Sequence, residues 1–366
     1  MTVAFWLSSW MIVGTAHAEP GALTYVEPVA DAPAGMLAWR IRYETLDDIG
    51  ETVEVTGMVV APIAGTMQRR RVIAWTHGTW GVVQKCAPSL SPEFFAVTPA
   101  LDAVKNGYVV VATDYPGLGG IGPHPYLVGP ITARSVLDSV RAAQKISGAY
   151  AGSEYAAWGE SQGGHAALWT GQLSQRYAPD LNLVGVAAGA PPTDLATNFR
   201  QASDPNAKMF LTAMTASSWS EYYDTPLEMG RKRTPAIMRK LASNCIKLGS
   251  APRLGAIAGI LTLRRDLKKF DFAGTAPWSS YLQKNSVAAN QPVPVLIAQT
   301  RDDPLVAADV TRKYARRLCA NRVALKWIDL PGKDHGTTAR QSAPQTLEWI
   351  SQRFDRKEAP TDCRSI

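Results

Sequence analysis

Gly159-Glu160-Ser161-Gln162-Gly163 is the stretch on which the fold turns. The apolar run Tyr155-Ala156-Ala157-Trp158 precedes it as a strand, and Gly163 to Tyr177 follows with helical spacing. A serine between strand and helix, flanked by glycines, reads as a nucleophile elbow. The turn brings two backbone segments so close that a Cβ would obstruct them, and it lifts the hydroxyl above the carboxyl end of a sheet. The pentapeptide alone occurs by chance in many chains; the strand and helix around it give it weight.

Outward from the elbow, strand and helix signals alternate. Before it lie strands at Trp39 to Thr45, Val53 to Pro62, Val72 to Thr76 and Tyr108 to Thr113, with helices at Pro99 to Asn106 and Ile131 to Ile146. The first two strands are expected to open the sheet in antiparallel fashion. After the elbow come a strand at Leu183 to Ala188, then Val293 to Gln299, a helix at Val306 to Leu318, Val323 to Leu330, and a closing helix near Thr346 to Phe354. Alternating units predict an α/β fold with a mostly parallel sheet and helices on both faces. Between Leu195 and Asn290 no strand is legible, and Pro205, Pro226, Pro235, Pro252 and Pro277 punctuate helical segments. The interval is too long for a simple loop. It is expected to be a helical cap of short helices over the serine, dividing the core into residues 19–194 and 291–366.

Serine oxygen is a weak nucleophile and needs a base, which in turn needs an acid to hold its tautomer. On this fold the chain order is serine, acid, histidine. His335, in the loop after the strand ending at Leu330, is the expected base. His165 lies on the elbow helix and is read as a packing residue; His77 and His124 precede the serine, and His17 lies in the leader. The acid belongs after Val293 to Gln299, where Asp302 and Asp303 are neighbours. Asp303 is preferred because it stands two residues before the apolar pair Leu305-Val306; Asp302 is the alternative, and a capping role is what else either could do. The amides of Gln162 and Thr79 are the expected oxyanion donors, the latter in the loop His77-Gly78-Thr79 that follows a strand.

Ile73-Ala74-Trp75-Thr76-His77-Gly78-Thr79, Cys86-Ala87-Pro88-Ser89 and Val111-Ala112-Thr113-Asp114-Tyr115-Pro116-Gly117-Leu118-Gly119, together with the elbow, resemble the secretory lipase family, the group that includes the fungal lipase A type. The resemblance runs from about Thr24 to Phe354. It implies an α/β-hydrolase core with a helical cap, carboxylic ester hydrolysis, and a triad at Ser161, Asp303 and His335. It also implies a Cys86–Cys245 disulfide, which leaves Cys319 with Cys363. One departure is Asp302, where the family usually carries a small residue.

Composition narrows the classes further. The chain has 366 residues and 46% hydrophobic content, enough for one large domain with an insertion. Met1 to Ala18 has an apolar stretch followed by Ala16-His17-Ala18, the pattern of a signal peptide cleaved after Ala18, although no Lys or Arg precedes the apolar run. Export to the periplasm or medium is expected. No later run reaches the ~18 apolar residues of a membrane span. Four cysteines, Cys86, Cys245, Cys319 and Cys363, suit an oxidising compartment, and without C-x-x-C pairs they do not suggest a metal site. The net charge of +7 reads as scattered basic runs on solvated faces, with no nucleic-acid motif beside them; attraction to anionic surfaces stays open. The expected function is therefore a cofactor-free, metal-free serine esterase or lipase acting on small-molecule or lipid esters. A serine peptidase or acyltransferase could use the same triad, and a non-catalytic binding module could use the same scaffold.

Overall fold

The computed structural model describes residues 19–63, 67–246 and 254–366; the expected leader, Met1 to Ala18, and Pro252 lie outside them. Nine strands form one sheet: β1 (Leu23–Pro28), β2 (Met36–Leu46), β3 (Thr52–Pro62), β4 (Arg70–Thr76), β5 (Val109–Thr113), β6 (Ala151–Glu160), β7 (Asn182–Gly189), β8 (Val295–Thr300) and β9 (Leu325–Leu330). Their spatial order is β1-β2-β3-β5-β4-β6-β7-β8-β9. The first three strands are antiparallel, as is the β3–β5 junction, and every later pairing is parallel. This is the α/β-hydrolase arrangement, with one strand, β1, more than the sequence reading found. β1 is an edge strand whose side chains are largely exposed, so it lacks the apolar run that marks the others.

The central strands β4 to β8 carry near-continuous apolar runs because both sheet faces are covered there. Residues alternate strictly between them. Val72 and Ala74, Val109 and Val111, and Tyr155 and Ala157 face one cluster, which α2 (Gly129–Gln144), α3 (Gln162–Tyr177) and α9 (Ala308–Ala320) cover. Ile73 and Trp75, Val110 and Ala112, and Ala156 and Trp158 face the other, covered by α10 (Thr338–Phe354) and a 3₁₀ helix at Pro99–Asn106. Trp75 and Trp158 meet edge to face, 5.2 Å between centroids. Such a pair contributes ~0.5–1.5 kcal/mol beyond its buried area.

α10 begins eight residues before the position expected from sequence. Pro344 lies inside it, and a proline in a helical pattern normally marks a boundary. Here the helix continues through the proline, held by Ala343, Trp349 and Ile350 in the core. Its first turn therefore follows the His335 loop directly.

Between β7 and β8 the chain runs through α4 (Leu195–Gln201), α5 (Pro205–Tyr222), α6 (Thr234–Ala242), α7 (Leu254–Asp266) and α8 (Trp278–Asn285), with no strand among the described residues. The prolines set starts: Pro205 and Pro235 sit in the first turns of α5 and α6, and Pro277 caps α8. This insertion has its own apolar cluster around Met214, Trp219 and Leu263, but that cluster continues into Tyr126, Leu127 and Ile131 of the core. Cys86 is bonded to Cys245 and Cys319 to Cys363. The first bond ties a loop of the core to the insertion; the second ties α9 to the tail.

Candidate active site

The strand order reverses around β4: β5 lies on one side of it and β6 on the other. At such a switch point the loops leaving the carboxyl ends diverge and open a crevice. The loop from His77 leaves β4 and Ser161 leaves β6, so the two meet there. Ser161 has φ 55° and ψ −119°, a conformation that side chains adopt at a cost of ~1–3 kcal/mol. Its amide donates to the Gly189 carbonyl at 2.8 Å, which pins the turn to β7. The glycines answer to Thr76: a Cβ on Gly159 would collide with its side chain and one on Gly163 with its carbonyl. In their absence the Thr76 hydroxyl reaches the Gly163 carbonyl at 2.8 Å.

His335 Nε2 lies 2.7 Å from Ser161 Oγ, and His335 Nδ1 lies 2.6 Å from Asp303 Oδ2. Asp303 is buried, and its other oxygen accepts from the amides of Leu305 and Val306 at 2.8 and 2.9 Å. The apolar pair that singled it out in sequence thus holds it through backbone amides. Asp302 is exposed and makes its bond through its own amide, to the Gly332 carbonyl. The structure brings Ser161, His335 and Asp303 into one line and leaves Asp302 outside it.

Burial alone would disfavour the His335 cation, but the Asp303 hydrogen bond and charge, with Glu160 and Asp334 adding to them, raise its pKa above the ordinary histidine value. Glu160 was not singled out by sequence reasoning beyond its place in the motif. Its carboxylate accepts from the Ala339 amide at 2.9 Å, in the first turn of α10, and burial pushes its pKa up to about 7. The missed signal is the true start of α10.

The His77-Gly78-Thr79 loop lies against the elbow, with Gly78 facing the Glu160 carbonyl and Ser161. Gln162 opens α3, where the first amides of a helix have no partner within it. Thr79 is fixed through its hydroxyl, 2.9 Å from Tyr126. The Gln162 side chain donates to His124 Nε2 at 3.0 Å, and His124 Nδ1 meets the Pro116 carbonyl at 2.9 Å. Burial drives the His124 pKa down to about 3 and that of His77 to about 4, so both rings are neutral. His165 turns away from Ser161 toward the insertion, with Nε2 2.7 Å from the Asn285 carbonyl.

The motif segments around the site interlock. Asp114 accepts from the Ser89 amide and hydroxyl and from Thr56, and Tyr115 donates to the His77 carbonyl at 3.1 Å. Among the described residues no cluster of His, Cys, Asp and Glu could hold a metal ion.

Ser161 and His335 open on a cavity of about 460 Å³ whose walls are mainly apolar. Trp75 and Phe94 come from the core, Phe199 and Leu211 from the insertion, and Leu305 from the acid loop. Thr79 and Gln162 also line it. A volume of this order suits an organic ligand with a sizeable apolar part.

Comparison with known proteins places this architecture. Lipase 5 of Candida albicans is 24% identical over 356 residues, covering 90% of this chain and 74% of that protein. A protein named as a probable inactive lipase, from Mycobacterium tuberculosis, is 24% identical over 369 residues, covering 93% and 80%. Among solved structures, Candida antarctica lipase A in its closed state has the same fold, with a TM-score of 0.75 at 19% identity over 95% of this chain and 85% of that one. Residues 89–362 match the family described as secretory lipase, and the chain belongs to that family.

Proposed function

We propose that the protein is an exported serine carboxylic-ester hydrolase that works through an acyl-enzyme. The observation that carries this reading is the unbroken line from Asp303 through His335 to Ser161 at the wall of an apolar cavity. Ser161 Oγ attacks the ester carbonyl while His335 Nε2 takes its proton, and the carbonyl π electrons pass to oxygen. The amides of Thr79 and Gln162 bind that oxyanion. Collapse expels the alcohol, which receives the proton from His335, and water then releases the acid by the same route. Asp303 holds Nδ1–H and stabilises the imidazolium without taking the proton.

The helical insertion acts as a cap. Phe199 and Leu211 offer apolar surface to an acyl chain, and each methylene buried there contributes ~0.8 kcal/mol. Two disulfides support an oxidising destination.

The test is Ser161→Ala with a series of chromogenic esters from short to long acyl chains. The wild type is expected to hydrolyse them, the variant to fold yet lose nearly all turnover, and a serine-directed phosphonate to label Ser161 alone. Retained turnover in the variant would remove the mechanism. A wild type inert toward every ester would align the chain with its relative named as probably inactive.

A further inference from the structure

The positive charge of this chain is not scattered. Residues 195–290 carry 14 Lys and Arg against 6 Asp and Glu, whereas the rest of the chain carries 24 against 25. Within 229–270 the count is 11 against 1, the single acid being Asp266. The whole net charge therefore belongs to the insertion, and most of it to α6, α7 and their flanks. In sequence these runs read as separate solvated faces; the fold gathers them, because α6 and α7 lie side by side with Gly259 against Leu241.

α7 also exposes apolar side chains that a solvated helix would not need. Ile260 and Leu263 face the insertion's cluster, while Leu254, Ile257 and Leu261 are 86%, 42% and 53% exposed. Their spacing sets them along one outward stripe of the helix. Arg264 and Arg265 continue the same stripe, and Lys268 is exposed in the turn just beyond the helix. On α6 and its approach, Lys232, Arg233, Arg239 and Lys240 are exposed as well. Apolar side chains rimmed by cations form the pattern that lies in a lipid–water boundary: the leucines enter the acyl layer while Lys and Arg stay among anionic headgroups.

We propose that the α6–α7 face of the insertion docks the protein onto anionic phospholipid surfaces. The occupant follows from the charge and the apolar stripe together. A nucleic acid would complement the cations but leave Leu254, Ile257 and Leu261 in water. A second copy would cover the leucines but set two strongly cationic faces against each other. The face also connects to the cavity: α7 meets the start of α5 through Arg264 and Asn206, and the next residues of α5, Ala207, Lys208 and Leu211, line the cavity wall.

The experiment measures co-sedimentation with vesicles of phosphatidylcholine alone and of equal parts phosphatidylcholine and phosphatidylglycerol. It uses the full-length Ser161→Ala protein, so that hydrolysis leaves the vesicles intact and failure of the esterase reading does not touch the outcome. Binding is expected to be at least about tenfold stronger on the anionic vesicles and to weaken steeply with salt. The combined variant Lys232→Glu, Arg233→Glu, Lys240→Glu should abolish that preference. Leu254→Ser with Leu261→Ser should weaken binding about tenfold with its salt dependence kept. Lys313→Glu with Arg317→Glu, on α9 of the core, should change little. Equal binding to both vesicles, or equal losses from the α9 pair, would overturn the proposal. So would a duplex oligonucleotide bound as tightly as the anionic vesicles, or a dimer in sedimentation velocity that Leu254→Ser dissolves.

Discussion

Asp303 and Asp302 are neighbours with opposite surroundings, and that contrast decides which of them can serve the imidazole. Asp303 is buried, with one oxygen on two amides and the other on His335; Asp302 is exposed. Asp303→Asn should lower kcat by ~10⁴, the scale of losing a triad acid, while Asp302→Asn should leave it within a few-fold. Steady-state kinetics on a short ester checks this, and the reverse ranking would move the role to Asp302. Glu160 acts on the same ring from another side. Its carboxylate, which burial makes take up a proton near pH 7, favours the imidazolium where it is charged and so raises the His335 pKa. A base must be neutral to take the serine proton, so activity appears as pH rises through that pKa. Glu160→Gln keeps an oxygen for the Ala339 amide and removes the charge. The acid limb of kcat/KM should therefore move to lower pH, with the plateau little changed. A limb that stays in place would mean that Glu160 only positions α10.

At the scale of elements, the elbow was legible because its demands are local: a strand, a strained serine, and glycines where Thr76 crosses. Gly163→Ala would set a Cβ against the Thr76 and His77 carbonyls, backbone that cannot yield as a flexible side chain would. We expect a cost of ~3 kcal/mol, at the upper end for overpacking, and slower phosphonate labelling of Ser161. A thermal midpoint unchanged from the wild type would refute the close approach. Other features depended on distant parts of the chain and could not be read locally. β1 is too exposed to carry an apolar signature, and Pro344 disguised the first turns of α10. Glu160 gained its partner only through that hidden helix start. The Gln162–His124 bond joins residues 38 apart, at a place where the sequence offers only an isolated histidine. The candidate serine, base and acid were legible because their order along the chain narrows the choice; the groups behind them were not.

At the scale of the molecule, three histidines tie the site to its surroundings, and all three are held neutral. His77 and His124 lie under the loop beside the elbow, and His165 spans the seam between α3 and the insertion. Burial lowers their pKa values to about 4, about 3 and about 4 respectively, against about 6.5 in an unfolded chain. Below 6.5 the unfolded state takes up protons that the folded state refuses, so stability is present above that pH and falls as the pH approaches 4. At pH 5 each of the three should cost about 2 kcal/mol relative to neutral pH. His335, whose pKa is raised, has the opposite sign and offsets a part of this. Urea unfolding at pH 7 and pH 5 should therefore show a midpoint several tenths of a molar or more lower in acid. His165→Gln should reduce that difference, because its ring no longer has to be kept uncharged at the seam. A pH-independent midpoint, or a His165→Gln variant with the full acid loss, would show that these rings accept protons without disturbing the fold.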